Sequence, residues 1–384
     1  VTRRLLTNSM RRTFTQCRRK YFFVYPERLS PIVTAPPLSF GQLVHDCLED
    51  FHINKNVLFD HVMNAWEIKH HAEVDAAAGS NEYADVDHDK IADLRKLATG
   101  MMQGYVQRYA NDLNTWRILA CEKPFRYPIS TFKSGTRGRS SATWDFGGKI
   151  DLLFADQDGS WILENKTTQE TDKDKYETTL MLDTQPIGYV WGAEKLIQEM
   201  GWPPLRGIIY NVLRKKLPAD PHPLKCKSCK GSGQPTKKAQ KEGHTSCPTC
   251  NATGVVGIST KQSTDTTVEK YVAAIRSYPH LDINDKDYED VISMLTSRGD
   301  RFFWRFWHPV SLQDIEDWER ETYQITRDID TCEAFYRNVS ACSVNGRKCP
   351  YRRICLEDDP IARRNFIVRD TEHPELKAEE IDAA

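Results

Sequence analysis

Two short apolar runs, Asp145–Ala155 and Ser160–Thr167, flank the turn Asp156-Gln157-Asp158-Gly159. Runs of this kind around a glycine-containing turn form a β-hairpin, and this hairpin constrains the fold more than any other segment. Upstream of it, Phe40, Leu43, Val44, Leu48 and Phe51 recur at helical spacing, so Phe40–Phe51 is expected as an amphipathic helix. A second helix is expected from about Ile91 to Tyr109 and a strand over Ile118–Tyr127, with Lys133–Thr143, rich in Gly and Ser, as a loop. Downstream, Gln185–Met200 reads as a helix, with Tyr189, Val190, Ala193, Leu196 and Ile197 on or near its apolar face. Gly207–Leu213 reads as a buried strand. The order is helix, three strands, helix, strand.

Beyond that core, a Lys- and Cys-rich insert spans 214–257. Helices are expected near 264–277 and 285–297, and a strand over Arg301–His308. Ser311 and Asp314 have the spacing of a capping box, opening a helix to about Tyr336. A cysteine-rich stretch, 332–355, and a polar tail follow. The chain therefore divides into a core (1–213), an insert (214–257) and a largely helical C-terminal region (258–384). The aromatic run Phe302–Trp307 suits a core strand better than a base-stacking platform. There is no internal repeat.

At 39% hydrophobic and 28% charged residues, the chain reads as globular rather than disordered. No apolar run reaches the length of about 18 residues that a membrane helix needs, so no membrane partner is expected. Val1–Lys20 is basic without the apolar centre of a secretory signal, which points to the cytoplasm. Net charge is −1, but residues 1–20 contain seven basic side chains and no acid, and 214–241 nine against one. Such segments are either a phosphate-binding track or solvated surface. The 11 cysteines are odd in number and closely grouped, which favours metal ligands over a disulfide framework.

The chemistry concentrates on the hairpin. Side chains two apart in a strand share a face, so Glu164 and Lys166 lie together, opposite Trp161, Leu163 and Asn165. Asp151 stands on the partner strand. Two carboxylates are hard oxygen ligands for a divalent cation, and a lysine beside them can stabilise charge developing at a phosphoryl group. The same residues would also suit an exposed Glu–Lys pair, and the hairpin alone leaves both readings open.

The wider pattern resembles the PD-(D/E)XK nuclease superfamily, in its RecB-like branch. Gly148–Asp151 matches the family's Gly-x-x-Asp, and Glu164–Lys166 its Glu-x-Lys. His45 matches a metal-binding helical histidine, Gln185 and Tyr189 a Gln-x-x-x-Tyr motif, and Glu122 an acid on the first strand. The resemblance implies an α/β, restriction-endonuclease-like αβββαβ core. It also implies Mg²⁺ or Mn²⁺ on His45, Asp151 and Glu164, with Lys166 assisting the attacking water, and Gln185 and Tyr189 positioning the site or the DNA strand. Its implied activity is hydrolysis of DNA, as an exonuclease in recombination, repair or phage and mobile-element DNA processing, with recombination or repair proteins as partners and a bacterial or phage source. The rivals are an endonuclease of the same chemistry and a non-catalytic DNA-binding or assembly subunit.

Two cysteine sets complete the expectations. AddB-type nucleases and the CRISPR-associated exonucleases like them carry a 4Fe–4S cluster on one N-terminal and three C-terminal cysteines. By that resemblance Cys17, Cys342, Cys349 and Cys355 would hold one here. Six residues separate Cys342 from Cys349 where the family has two, which leaves Cys332 as a substitute for Cys342. Separately, Cys226-x-x-Cys229 and Cys247-x-x-Cys250 stand 17 residues apart, a spacing that suits one Zn²⁺. They resemble a single pair of knuckles from the DnaJ-type cysteine-rich repeat, without other chaperone features. The insert reads equally as a DNA contact and as a folding staple.

Overall fold

The computed structural model describes residues 3–33, 35–76, 88–133, 136–261, 265–344, 347–356, 361–373 and 376. The chain forms two compact units. The first comprises Val1–Thr167, Asp174–Asn211 and Arg305–Ala384, and the second Thr168–Lys173 with Val212–Trp304.

The first unit opens with β1 (Arg4–Leu6), α1 (Asn8–Gln16), α2 (Arg18–Val24) and β2 (Leu29–Pro31). Three longer helices follow, α3 (Pro36–Asn54), α4 (Asp60–Ala76) and α5 (His88–Tyr109), and then the short α6 (Asp112–Thr115). The expected centre comes next: β3 (Arg117–Lys133), β4 (Thr136–Ala155), β5 (Ser160–Thr168), α7 (Lys173–Met181), α8 (Gln185–Met200) and β6 (Leu205–Arg214). The helix–three-strand–helix–strand order is present, embedded in a mixed α/β architecture with a mostly antiparallel sheet. β1, not anticipated, joins that sheet parallel to β4 at Trp144–Phe146. β5 pairs antiparallel with Leu152–Ala155 of β4, and β3 runs antiparallel along the other edge of β4.

The segment Lys133–Thr143, expected as a loop, is strand in its described part. Ser130 pairs with Ser140 and Phe132 with Arg137, with bulges near Pro128 and Ser130. Gly138 permits this, because a Cβ there would lie 2.7 Å from Thr131 Oγ1. Ladder pairing with β3 outweighs the turn preference of Gly and Ser.

Both faces of the sheet are covered, which is why β5 is almost continuously buried rather than alternating. On one face Phe146, Ile150, Leu153, Ile162 and Ile208 pack with Val190, Trp191 and Ala193 of α8. On the other, Leu152, Phe154 and Leu163 pack with Trp116 and Ile118. The contact with α8 is close at Gly192, where a Cβ would lie 2.2 Å from Phe125.

In the second unit, β7 (Pro223–Lys225) and β8 (Val255–Ile258) form an antiparallel pair. The knuckles and the short α9 (Lys237–Lys241) lie between them in sequence. α10 (Val268–Arg276) and α11 (Lys286–Arg298) share a small core with Ile258, built on Tyr271, Ile275, Val291 and Leu295. The compact unit therefore runs on past residue 257 to Trp304.

The chain returns through β9 (Phe303–His308), next to β6 in the sheet, to α12 (Leu312–Asp330). Ser311 and Asp314 form the expected capping box. The helix stops at Asp330, short of Tyr336, because the chain after Thr331 docks elsewhere: Tyr336 O accepts from Arg19 N and Asn338 Nδ2 donates to Gln16 O. No helix among the described residues is long and apolar enough to cross a membrane.

Candidate active site

Strand register builds the site. Leu152 faces Leu163 on β5 and Cys121 on β3. One residue further, Glu122 falls opposite Asp151 between the β3–β4 pairs, and Asp151 and Glu164 are the residues just past the end of the β4–β5 ladder. Three carboxylates are thus brought together from three neighbouring strands, which lie about 4.8 Å apart. Glu122 holds its place with φ +47°, in the left-handed region that non-glycine residues avoid. Such strain costs on the order of 1–3 kcal/mol and clusters at functional sites.

α3 brings in the histidine. His45 Nδ1 lies 3.5 Å from Asp151 Oδ1 and 4.0 Å from Glu122 Oε1. His45, Glu122 and Asp151 offer ligand atoms that all fall within 4.8 Å of one another. Asp151 keeps its other oxygen on the Asn165 amide, 2.8 Å away. Glu164 divides differently: Oε1 pairs with Lys166 Nζ at 2.6 Å, while Oε2 is buried and accepts no hydrogen bond from any described residue.

A chain of contacts then fixes the lysine. Lys166 Nζ donates to Gln185 Oε1 at 3.2 Å, and Gln185 Nε2 donates to Tyr189 OH at 2.8 Å. Gln185 and Tyr189 are one turn apart on α8, whose C-terminus is closed by Gly201 at φ +64°. Gly148 leaves room for the Tyr189 ring, which a Cβ there would approach to 3.0 Å.

Crowding sets the electrostatics. Burial and the neighbouring Asp151 push the Glu164 carboxyl up to about 7. Burial opposes ionisation of Asp151 too, but His45, Lys166 and the Asn165 amide outweigh it and hold that carboxyl below its ordinary value. Burial likewise disfavours the charged forms of His45 and Lys166. Asp151 and Glu122 overcome this at His45, and Glu164 and Asp151 at Lys166, so both are raised. A divalent cation fits the donor set of His45, Glu122 and Asp151, one imidazole and hard carboxylate oxygens.

These groups open onto a cavity of about 1030 Å³ lined by His45, Glu122, Asp151, Lys166, Gln185 and Tyr189. Asn8 and Arg12 of α1 and Gln324 of α12 form its outer wall. Glu164 lies behind Lys166, only 1% exposed. The structure thus gathers every residue expected at the catalytic site. Sequence reasoning missed Lys149, which also lines the cavity. Its signal was available, since it stands two residues from Asp151 and so shares its face.

Of the two expected cysteine sets, only the knuckle set, among the described residues, brings its sulfurs within 4.8 Å of one another. Cys226, Cys229, Cys247 and Cys250 are buried together. Gly233 and Gly254 amides each approach a sulfur, Cys229 and Cys250, at 3.3 Å. Burial works against ionisation of Cys229, but the Gly233 amide and neighbouring thiols outweigh it and lower the thiol. In the first unit, Cys17 stands between α1 and α2, and the Cys349 amide donates to Cys342 O at 2.9 Å. Burial raises the Cys349 and Cys355 thiols, and both feel the charges of Cys17 and Cys342. Cys332 instead turns its sulfur toward Ala334 O.

The profile of the PD-(D/E)XK nuclease superfamily matches residues 6–356, and the chain belongs to that superfamily. Membership makes it one of a class of metal-dependent nucleases. A search of curated proteins finds no match to the chain.

Proposed function

We propose that this chain is a Mg²⁺- or Mn²⁺-dependent deoxyribonuclease that degrades DNA from its ends. The observation that carries the reading is the meeting of His45, Glu122, Asp151 and Lys166 in one open cavity, with Glu164 buried behind Lys166 and paired to it. His45, Glu122, Asp151 and Glu164 would hold the cation. When bound, the metal supplies Lewis acidity at the phosphoryl group.

The rest is work for the side chains. Lys166, held by Glu164 and Gln185, orients the attacking water and stabilises the negative charge that builds on the phosphate. Tyr189 steadies Gln185. Asn165 aims Asp151 through its amide. Action on ends is the family's commonest use, in recombination, repair or phage and mobile-element DNA processing, where protein partners of those processes would act with it. The endonuclease alternative shares every residue of the site, and the intact Asp151, Glu164 and Lys166 argue against a non-catalytic subunit.

Cys17, Cys342, Cys349 and Cys355 would carry a 4Fe–4S cluster that ties the two ends of the first unit together. Lys20 beside Cys349, and Arg337 and Arg19 beside Cys355, offset in part the burial that raises those thiols. The knuckle cysteines would hold Zn²⁺, as their burial and amide–sulfur contacts support. Lys225, Lys227, Lys230, Lys237, Lys238 and Lys241 are exposed around them, and Glu242 is the one acid between 221 and 257. That basic surface suits a DNA backbone.

The test is cleavage of end-labelled linear and circular DNA with Mg²⁺ or Mn²⁺. Metal-dependent loss of linear DNA, reduced about 10²–10³-fold in Lys166→Ala, is the expected result. Loss of circles at an equal rate would replace the exonuclease with the endonuclease. Wild-type protein inert on both substrates, with its metals verified, would overturn the catalytic reading.

A further inference from the structure

This inference rests on the nuclease reading and concerns Lys149, which that reading does not use. Lys149 lies two residues before Asp151 on β4, on the same face and about 7 Å along the strand. Its Nζ is 2.6 Å from Glu122 Oε2, while Glu122 Oε1 is the oxygen nearer His45. Glu122 thus turns one oxygen to the cation position and the other to an ammonium. The Lys149 side chain remains 26% exposed and lines the same cavity as Lys166.

Holding Glu122 in place would explain such a lysine in part. Its exposure asks more of it, because the ammonium faces the cavity that a substrate strand would enter. The two lysines also sit on opposite sides of the three carboxylates, Lys166 beyond Glu164 on β5 and Lys149 beside Glu122. A lysine is a point charge with several donors on a flexible stem, so one ammonium can keep a carboxylate and also donate to a phosphate oxygen.

We infer that Lys149 is a substrate-binding residue that grips a backbone phosphate of the nucleic-acid strand adjacent to the one cleaved, using Glu122 as its anchor. The prediction is a loss of strand affinity without a loss of metal affinity.

The experiment measures binding of a fluorescein-labelled oligonucleotide by anisotropy, at saturating Mg²⁺, in a Lys166→Ala background that suppresses turnover. Mn²⁺ affinity is measured in parallel by calorimetry. Lys149→Ala is expected to weaken the oligonucleotide about tenfold and to lower the salt-dependence slope by about one. Mn²⁺ affinity should stay unchanged, and Lys149→Arg should restore most of the oligonucleotide affinity. Lys149→Gln, which keeps the stem, should behave as the alanine variant and guards against a packing effect. A drop in Mn²⁺ affinity with oligonucleotide affinity intact would overturn the proposal and leave Lys149 as a clamp on Glu122. Unchanged values for both would overturn it as well. Protein with native Lys149 that binds neither probe would instead sink the underlying nuclease reading.

Discussion

Glu164 and His52 show how much the surroundings of a single side chain decide. Both are buried, yet Glu164 has a lysine on one oxygen, whereas among the described residues the His52 ring has only the Leu48 carbonyl as a hydrogen-bond partner. Burial and the nearby Arg305 charge hold the His52 imidazole down to about 3. In the unfolded chain it titrates near 6.5. Below that pH the unfolded chain takes up a proton that the folded one refuses, so the stability His52 contributes is complete above about pH 6.5 and declines toward pH 3. Between pH 7 and 5 the loss should be ~2 kcal/mol. Urea unfolding at the two pH values should show that decrement in the wild type and little of it in His52→Gln. Equal decrements would show that His52 is not its source. At the candidate site, strand spacing made the shared face of Glu164 and Lys166 legible beforehand, whereas His45, Gln185 and Tyr189 were legible only through the family resemblance. Lys149 shares the face of Asp151 by the same spacing, but its ion pair with Glu122, 27 residues earlier in sequence, is set only by the pairing of β3 with β4.

At the level of elements, α8 against the sheet is the joint that positions Gln185 and Tyr189. Gly192 allows it: Phe125 occupies the space a side chain would need. Gly192→Val should therefore cost about 1–3 kcal/mol through overpacking, seen as a lower urea midpoint. Because the joint also carries Gln185, the variant should lose activity at temperatures where it remains folded. A variant as stable as wild type would mean that Phe125 moves aside freely. The bounds of α8 were read from its apolar periodicity. The strand extension through 136–143 was not, because glycine and serine carry turn preference locally, and only the facing strand β3 supplies the ladder that overrides it.

Across the whole molecule, the proposed cysteine centres make separable predictions. If Cys342 is a cluster ligand, Cys342→Ser should lose iron and the visible absorption of the cluster in anaerobically purified protein, while Cys332→Ser keeps both. The reverse pattern would move the ligand to Cys332. The knuckles should yield one zinc per chain by elemental analysis. Chelation should speed hydrogen exchange within 212–304, since a metal absent from the unfolded state contributes its binding energy to folding. Protection unchanged after verified zinc loss would make the site dispensable for that unit. What the sequence determined alone was whatever depends on near neighbours: helical periodicity, the hairpin and its turn, the capping box, and the pairing of Cys-x-x-Cys motifs. Tertiary structure alone decided that α10 and α11 pack with the insert, that β1 enters the sheet, and that Glu122, Asp151 and Glu164 come together from three strands. Those outcomes depend on register and on burial between segments far apart in the chain, and no local pattern of residues encodes either.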